Sequence, residues 1–319
     1  MNQKGIGVSN LPNLKYSSVC QNGIDFNIMT VGSHGLGKSS FINGLFNLNL
    51  LNTEIQNSDF HVTTCTIIEN QFKTNISITE VDRIGDKANN EKCWTPIIKY
   101  LHDLYKDYLN KEQHNVRSLV QDKRIHICFY FLEPNCSFIK PVDLQTMKEI
   151  SKYCNLIPVV SKSDFLNEKQ KQECFDFLRV TLEQNSIIVF EEKCLKRGNI
   201  SNFTPPFFIV CPDSGLNTSR TYPWGTLDIQ NLVTNDLYRL RDQLINKNII
   251  ELIKRTEEFY DIFRATLLYE CIDKQASKCL NKEMINCALS KEIENDEKSI
   301  QEMKERILEK KNRLNMLKQ

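Results

Sequence analysis

The sequence predicts a three-layer α/β fold: a mostly parallel sheet covered by helices on both faces, then C-terminal helices ending in a short coiled coil. Three observations carry this. Five short apolar runs, Phe26–Val31, Ile76–Val81, Ile125–Leu132, Leu156–Val160 and Phe207–Cys211, alternate with longer stretches of helical patterning. A glycine-rich loop joins the first run to the first such stretch. All nine prolines precede Asn235, and from there the pattern stays helical to Gln319.

Residues 1–25 read as a polar N-terminal extension. The main domain spans 26–268. Its helical stretches, Ser39–Leu48, Pro96–Leu109, Leu144–Tyr153 and Glu168–Leu182, fall between the apolar runs, as in a parallel sheet covered on both faces. Right-handed crossovers then bring the C-terminal ends of the strands to one edge, where ligands bind. From Asn235 to Leu268 a broad apolar stripe (Leu237, Leu240, Leu244, Leu252, Phe259, Phe263) predicts a helix packed on that domain. A helical linker, 269–288, leads to a heptad pattern over 289–319. Ile293, Ile300, Ile307 and Leu314 fill one seam position, and Leu289, Asp296, Met303, Lys310 and Leu317 the other. The polar pair Asp296 and Lys310 disfavours a homodimer and predicts pairing with a different tail.

Composition excludes several classes. With 40% hydrophobic and 25% charged residues, the 319-residue chain has the profile of a soluble protein with a sizeable core. A net charge of +1 argues against a general nucleic-acid binder. No apolar run approaches the ~20 residues of a membrane span, and Met1 to Tyr16 carries no secretory h-region. The 12 cysteines are scattered without CxxC or zinc spacing, which predicts free thiols in a reducing cytoplasm.

Gly32-Ser-His-Gly-Leu-Gly37-Lys38-Ser39 sits between a strand and a helix, the setting a phosphate loop requires. Glycines let successive backbone N–H groups turn inward as an anion nest, and the helix N-terminus adds partial positive charge. Lys38 then reaches the β- and γ-phosphates and the Ser39 hydroxyl offers itself to Mg²⁺. Such a loop calls for an acidic residue at the end of a second strand. Asp82 ends the run Ile76–Val81, with Gly85 three residues on. Guanine is selected by a carboxylate that accepts from both N1–H and the 2-amino group. The fourth run ends in Ser161-Lys162-Ser163-Asp164, where Lys162 would lie along the base and Asp164 would read its edge.

These residues resemble the septin family of filament-forming P-loop GTP-binding proteins, and the resemblance covers nearly the whole chain. Asn10-Leu-Pro-Asn13, Gly35-Leu-Gly-Lys-Ser39, Phe41-Ile-Asn-Gly-Leu-Phe46 and Lys140-Pro-Val-Asp143 match family blocks. The most specific match is Arg220-Thr-Tyr-Pro-Trp-Gly225, part of the septin-unique element, followed by Asn235-Asp-Leu-Tyr-Arg-Leu-Arg-Asp-Gln-Leu244. The resemblance implies a G domain that binds GTP or GDP with Mg²⁺. Gly32, Gly35, Leu36, Gly37, Lys38, Ser39 and Ser40 would form the phosphate loop, and Ser39 and Asp82 would serve the metal. Asp82 and Gly85 would sense the γ-phosphate, Lys162 and Asp164 would bind guanine with Cys211 in the base pocket, and Arg220 would pack against the base. Trp224 would belong to the interface that joins two nucleotide-binding faces.

The departures from the family pattern bear on turnover. Asp82-Arg-Ile-Gly85 replaces Asp-Thr-Pro-Gly, Ser137 replaces a histidine sent across the interface, and Cys211 replaces a glycine. Asp59 falls where a threonine positions the attacking water, and Thr63, Thr64 or Thr66 are the alternatives. A carboxylate there would repel the γ-phosphate. The resemblance therefore implies a cytoskeletal subunit with weak or absent hydrolysis, at the cell cortex or division site, whose partners are other septins in hetero-oligomers or filaments. A homodimer through the nucleotide face is a further arrangement it allows. Between Asn10 and Phe26 only Lys15 is basic, so membrane association would be weak or indirect. The competing readings are a catalytically active GTPase switch and, behind it, a P-loop ATPase or kinase.

Overall fold

A computed structural model describes residues 23–51, 60–69, 72–82, 84–86, 90–112, 121–135, 137–191, 204–212, 219–223, 225–229, 235–270, 272, 298–306 and 310. The chain divides into two units, Met1–Asp261 and Ile262–Gln319. In the first, six strands form one sheet: β1 (Ile24–Gly32), β2 (Phe60–Glu69), β3 (Phe72–Val81), β4 (Ile127–Leu132), β5 (Asn155–Val160) and β6 (Phe207–Phe208). Their spatial order is β2-β3-β1-β4-β5-β6, parallel except for β2, which runs antiparallel to β3.

Helices α1 (Lys38–Phe46), α2 (Thr95–Glu112), α3 (Pro141–Ile150) and α4 (Glu168–Gln184) complete the crossovers. The central strands β4 and β5 are buried along their whole length, because helices cover both of their faces. On one face Phe26, Ile28, Ile76 and Phe129 pack with Phe41 and Leu45 of α1, and Phe41 meets Phe129 and Phe131 edge to face at 4.9 and 5.2 Å. Leu237, Leu240, Leu244 and Leu252 of the later helix close this core. That helix begins as α5 (Leu237–Arg241), widens to a π-helix over Asp242–Asn248, and continues as α-helix through 249–261. Met29, Val31, Cys128 and Tyr130 face the other way, toward Ile97 and Leu101 of α2, Met147 and Ile150 of α3, and Leu178 and Leu182 of α4.

Some elements differ from the sequence reading. The first helix stops at Phe46, because Asn47 adopts a left-handed φ of 55°. Its C-terminal end is held from far along the chain: the Arg241 Nε donates to the Leu45 carbonyl at 2.7 Å. Helix α3 starts at Pro141, three residues before the expected Leu144, since proline suits the first helical turn. Only Phe207–Phe208 pair as strand, although Ile209 still donates to the Val160 carbonyl. Strand β2 and the hairpin of β7 (Ser219–Tyr222) and β8 (Gly225–Asp228) are additions that the apolar runs did not indicate.

In the second unit, residues 262–270 and 298–306 are helical. Within 298–306 every residue is exposed, and Ile300 and Met303 of the heptad are 53% and 63% accessible. The other heptad positions, Lys310 excepted, lie outside the described residues. Among the described residues, no helix is long and apolar enough to cross a membrane.

The end of the sheet at the start of β1 is a closed polar network. Asn27 donates from its amide group to the carbonyls of Asp122 and Arg124, and its backbone N–H donates to His126 Nδ1. Arg124, only 3% exposed, forks onto Asp122 with NH2 to Oδ2 at 2.7 Å and lies 3.8 Å from the Tyr108 ring centre. Burial, the largest influence on Asp122, raises its pKa, but hydrogen bonds from His126 and Arg124 more than offset it. The carboxyl is held well below its ordinary value.

Candidate nucleotide site

The opposite edge, at the C-terminal ends of β1, β3, β4 and β5, gathers most of the motif residues. β1 delivers Gly32 beside β4. A side chain there would put a Cβ 2.9 Å from the Phe131 Cβ, so only glycine lets the two strands run this close. Gly35 and Gly37 both take φ near +77°, and a Cβ on either would meet nothing within 4 Å; these glycines are required by backbone conformation around an open cradle. Gly37 directly precedes Lys38, the first residue of α1. Leu36, by contrast, turns its side chain into the core, leaving only its backbone to the loop.

Lys38 is 4% exposed, and three oxygens hold its ammonium: the carbonyls of Gly32 and Ser33 at 3.0 and 2.7 Å, and Asp82 Oδ1 at 2.7 Å. Strand β3 therefore brings Asp82 to the phosphate loop. The segment after it packs back on the loop, with Ser33 Oγ donating to the Ile84 carbonyl and the His34 N–H to Asp86 Oδ2. Gly85, at φ +80°, accepts from Asn90 through its carbonyl.

Next to Asp82 the structure adds a residue that motif reading passed over. Glu80 lies two positions earlier on β3, on the same face as Ile76 and Ile78, and is 8% exposed. Ser39, in the first turn of α1, lies close enough to this carboxylate to act on it. Burial is the largest influence and pushes this carboxyl above its ordinary value, with Asp82 adding to the rise, while Ser39, His61 and Lys38 pull it down. Glu80 Oε1 has no hydrogen-bond partner, and neither has Oγ1 of the fully buried Thr30, its register neighbour on β1. A glutamate set into an otherwise apolar inward face was the signal for it.

At the far side of the edge, Lys162 takes a left-handed φ of 52° and stands exposed, opening the short 3-10 turn Ser163–Phe165. Ser163 is fully buried and its backbone N–H donates to the Ile209 carbonyl. Asp164 accepts from the Tyr222 hydroxyl at Oδ2, 2.6 Å away, while its buried Oδ1 has no partner; nor has Ser163 Oγ. Tyr222 comes from the β7–β8 hairpin, as does Arg220, whose guanidinium lies 5.4 Å from the Tyr222 ring centre. Cys211 belongs to the same group. Burial pushes its thiol up to about 12, with Arg220 pulling it down and Asp164 pushing it up. Beyond β6, Asn235 bonds both backbone groups of Val210 and the Ile229 carbonyl, anchoring the segment that carries Cys211.

Two expected residues are not placed here. Asp59 and Trp224 lie outside the described residues. Thr66 does not reach the phosphate loop: it pairs with Asn75 in the β2–β3 register and donates to Asn75 Oδ1 at 3.2 Å. Six register positions separate it from Val81, or ~20 Å at strand rise, which removes it as a group that positions water. Thr63 and Thr64, opposite Ile78 and Ser77, also sit inside the strand.

Comparison with known proteins agrees with this geometry. Residues 22–277 match the family model described as Septin. Cell division control protein 3 of Encephalitozoon cuniculi is 42% identical, over 98% of this chain and 94% of that protein. Cell division control protein 12 of Saccharomyces cerevisiae is 31% identical, over 81% of this chain and 72% of its own. Among solved structures, the septin GTPase domain from Chlamydomonas reinhardtii superimposes with a TM-score of 0.61, covering 76% of this chain and 99% of that one at 18% identity, a likeness of fold.

Proposed function

The chain belongs to the septin family, and from that premise we propose that it binds GTP or GDP at the strand ends and serves as a subunit of septin hetero-oligomers or filaments at the division site. The observation that carries this reading is the pairing of two half-sites on one sheet edge. One is an open glycine cradle beside Lys38; the other is a buried carboxylate oxygen of Asp164 with no protein partner. The cradle fits phosphate, and a carboxylate edge fits the N–H donors of guanine and is repelled by the acceptor at N1 of adenine. That chemistry also disfavours an ATPase or kinase.

Mg²⁺ fits the same place. Ser39, Asp82 and Glu80 offer hard oxygens beside the phosphate cradle. Among the described residues no three His, Cys, Asp or Glu side chains are grouped to hold an ion alone, so phosphate oxygens would complete the shell. When bound, the ion neutralises phosphate charge. Lys38 would exchange part of its contact with the Gly32 and Ser33 carbonyls for phosphate oxygens.

Binding rather than turnover is the proposed role, because Thr66 stands far from the phosphates and the hydroxyl that orients water has no replacement among β2 residues near Val81. Trp224 and the hairpin beside the base would form the contact with a second septin, and the 289–319 heptad would pair with another septin's tail. The test is the nucleotide released on denaturing the purified protein. Guanine nucleotide at near one per chain supports the reading, with GTP marking an inert site. Adenine nucleotide, or none, overturns it. Rapid single-turnover hydrolysis would instead favour the switch.

A further inference from the structure

Glu80 is not part of the P-loop motif set, yet among the described residues it is the most enclosed carboxylate at the phosphate edge. Its position follows from register: Thr30 on β1, Glu80 on β3 and His61 on β2 are neighbours across three strands. Strand alternation sets Glu80 and Asp82 on one side, toward α1 and its first-turn Ser39. Two oxygens in this group, Glu80 Oε1 and Thr30 Oγ1, are buried without partners. Buried polar atoms are almost always paired, so a pair of orphans side by side, adjoining the hydroxyl that would serve a metal, points to a missing electropositive partner.

We propose that Glu80 presents a second carboxylate to the divalent cation of the bound nucleotide, from beneath Ser39 and beside Asp82, so that this chain keeps its nucleotide at unusually low free Mg²⁺. The proposal rests on the nucleotide–Mg²⁺ reading above. Lys38 pairs directly with Asp82, whereas Glu80 feels Lys38 and His61 only at longer range and keeps Oε1 without a partner. A merely structural Glu80 would fill this place beside Ser39 and Thr30 as a polar side chain, and glutamine does that equally well.

The experiment loads the full chain with a methylanthraniloyl-GDP probe and follows its release while free Mg²⁺ is set with EDTA. Wild type, Glu80→Gln and Glu80→Val are compared. In both variants the Mg²⁺ concentration for half-maximal retention should rise on the order of tenfold. An unchanged half-point in Glu80→Gln, with or without a shift in Glu80→Val, overturns the proposal and leaves nucleotide binding intact. A wild-type chain that holds no guanine nucleotide removes both readings. Should the variants fail to fold, wild type carrying ¹³C-carboxyl glutamate and Mn²⁺ in place of Mg²⁺ decides the matter. Pulsed electron paramagnetic resonance should detect a carbon coupling, and its absence overturns the proposal.

Discussion

The two ends of the central sheet handle buried polarity in opposite ways. At the β1 start, Asn27, Asp122, Arg124 and His126 satisfy one another through hydrogen bonds and the Arg124–Asp122 ion pair. At the other end, Thr30 Oγ1, Glu80 Oε1, Ser163 Oγ and Asp164 Oδ1 are buried with no partner. A satisfied network rigidifies a fold, whereas unpaired oxygens cost stability unless a ligand meets them. The difference separates the part of the molecule that holds the chain together from the part that waits on nucleotide.

Substitutions at the two ends should therefore fail differently. Lys38→Ala should give the largest effect on the ligand: a folded protein that purifies without nucleotide, read by chromatography of the denatured sample. Retention at wild-type stoichiometry would break the assignment of this end to phosphate. Asp122→Asn should instead cost about 3 kcal/mol of stability, because Arg124 stays buried without its counter-charge. Denaturant titration checks this, with nucleotide content of the folded fraction unchanged. The same ion pair sets a pH signature. Asp122 has its folded pKa below its unfolded value, so its contribution is complete above ~pH 4 and is lost as acid approaches the folded value. Wild type should lose stability on acidification below that point more steeply than Asp122→Asn.

Asp164→Asn follows in size. An amide cannot accept both guanine N–H groups, and the preference for GTP over ATP should fall on the order of 100-fold in competition binding. Tyr222→Phe is the smallest. Removing the hydroxyl frees Asp164 to rotate and should weaken guanine nucleotide about fivefold, leaving phosphate affinity, measured with inorganic pyrophosphate, unaltered. A loss confined to pyrophosphate would mean that the hairpin serves the wrong half of the site.

How much of this was legible in the sequence follows the same division. The phosphate half is local in the chain: strand, glycine loop and Lys38-Ser39 are consecutive, so spacing alone conveyed the geometry. The inner strands were legible as apolar runs because both of their faces are buried. Strand β2 was not, since its two faces each mix polar and apolar residues. Cys65 and Ile67 pack on one core with His61 and Thr63 beside them, while Val62 and Ile68 are exposed among threonines. The period-two signal cancels. The base half is assembled from separate segments, and a hydrogen bond such as Tyr222 to Asp164, spanning 58 positions, leaves no trace in spacing. Glu80 was visible but sat in a run read for its apolar content.

The fastening of α1 has a consequence for how the protein is made. Its last turn is held by Arg241, 196 positions beyond Leu45, and Gly44 lets Pro212 and Leu237 approach the same helix closely. On the ribosome the glycine loop emerges long before those partners exist, a lag of about 10–40 s at ordinary elongation rates. During that interval α1 lacks the contacts that Pro212, Leu237 and Arg241 supply in the full chain. A chain truncated before Arg241 should therefore hold less nucleotide than the full chain, read as nucleotide released per chain on denaturation.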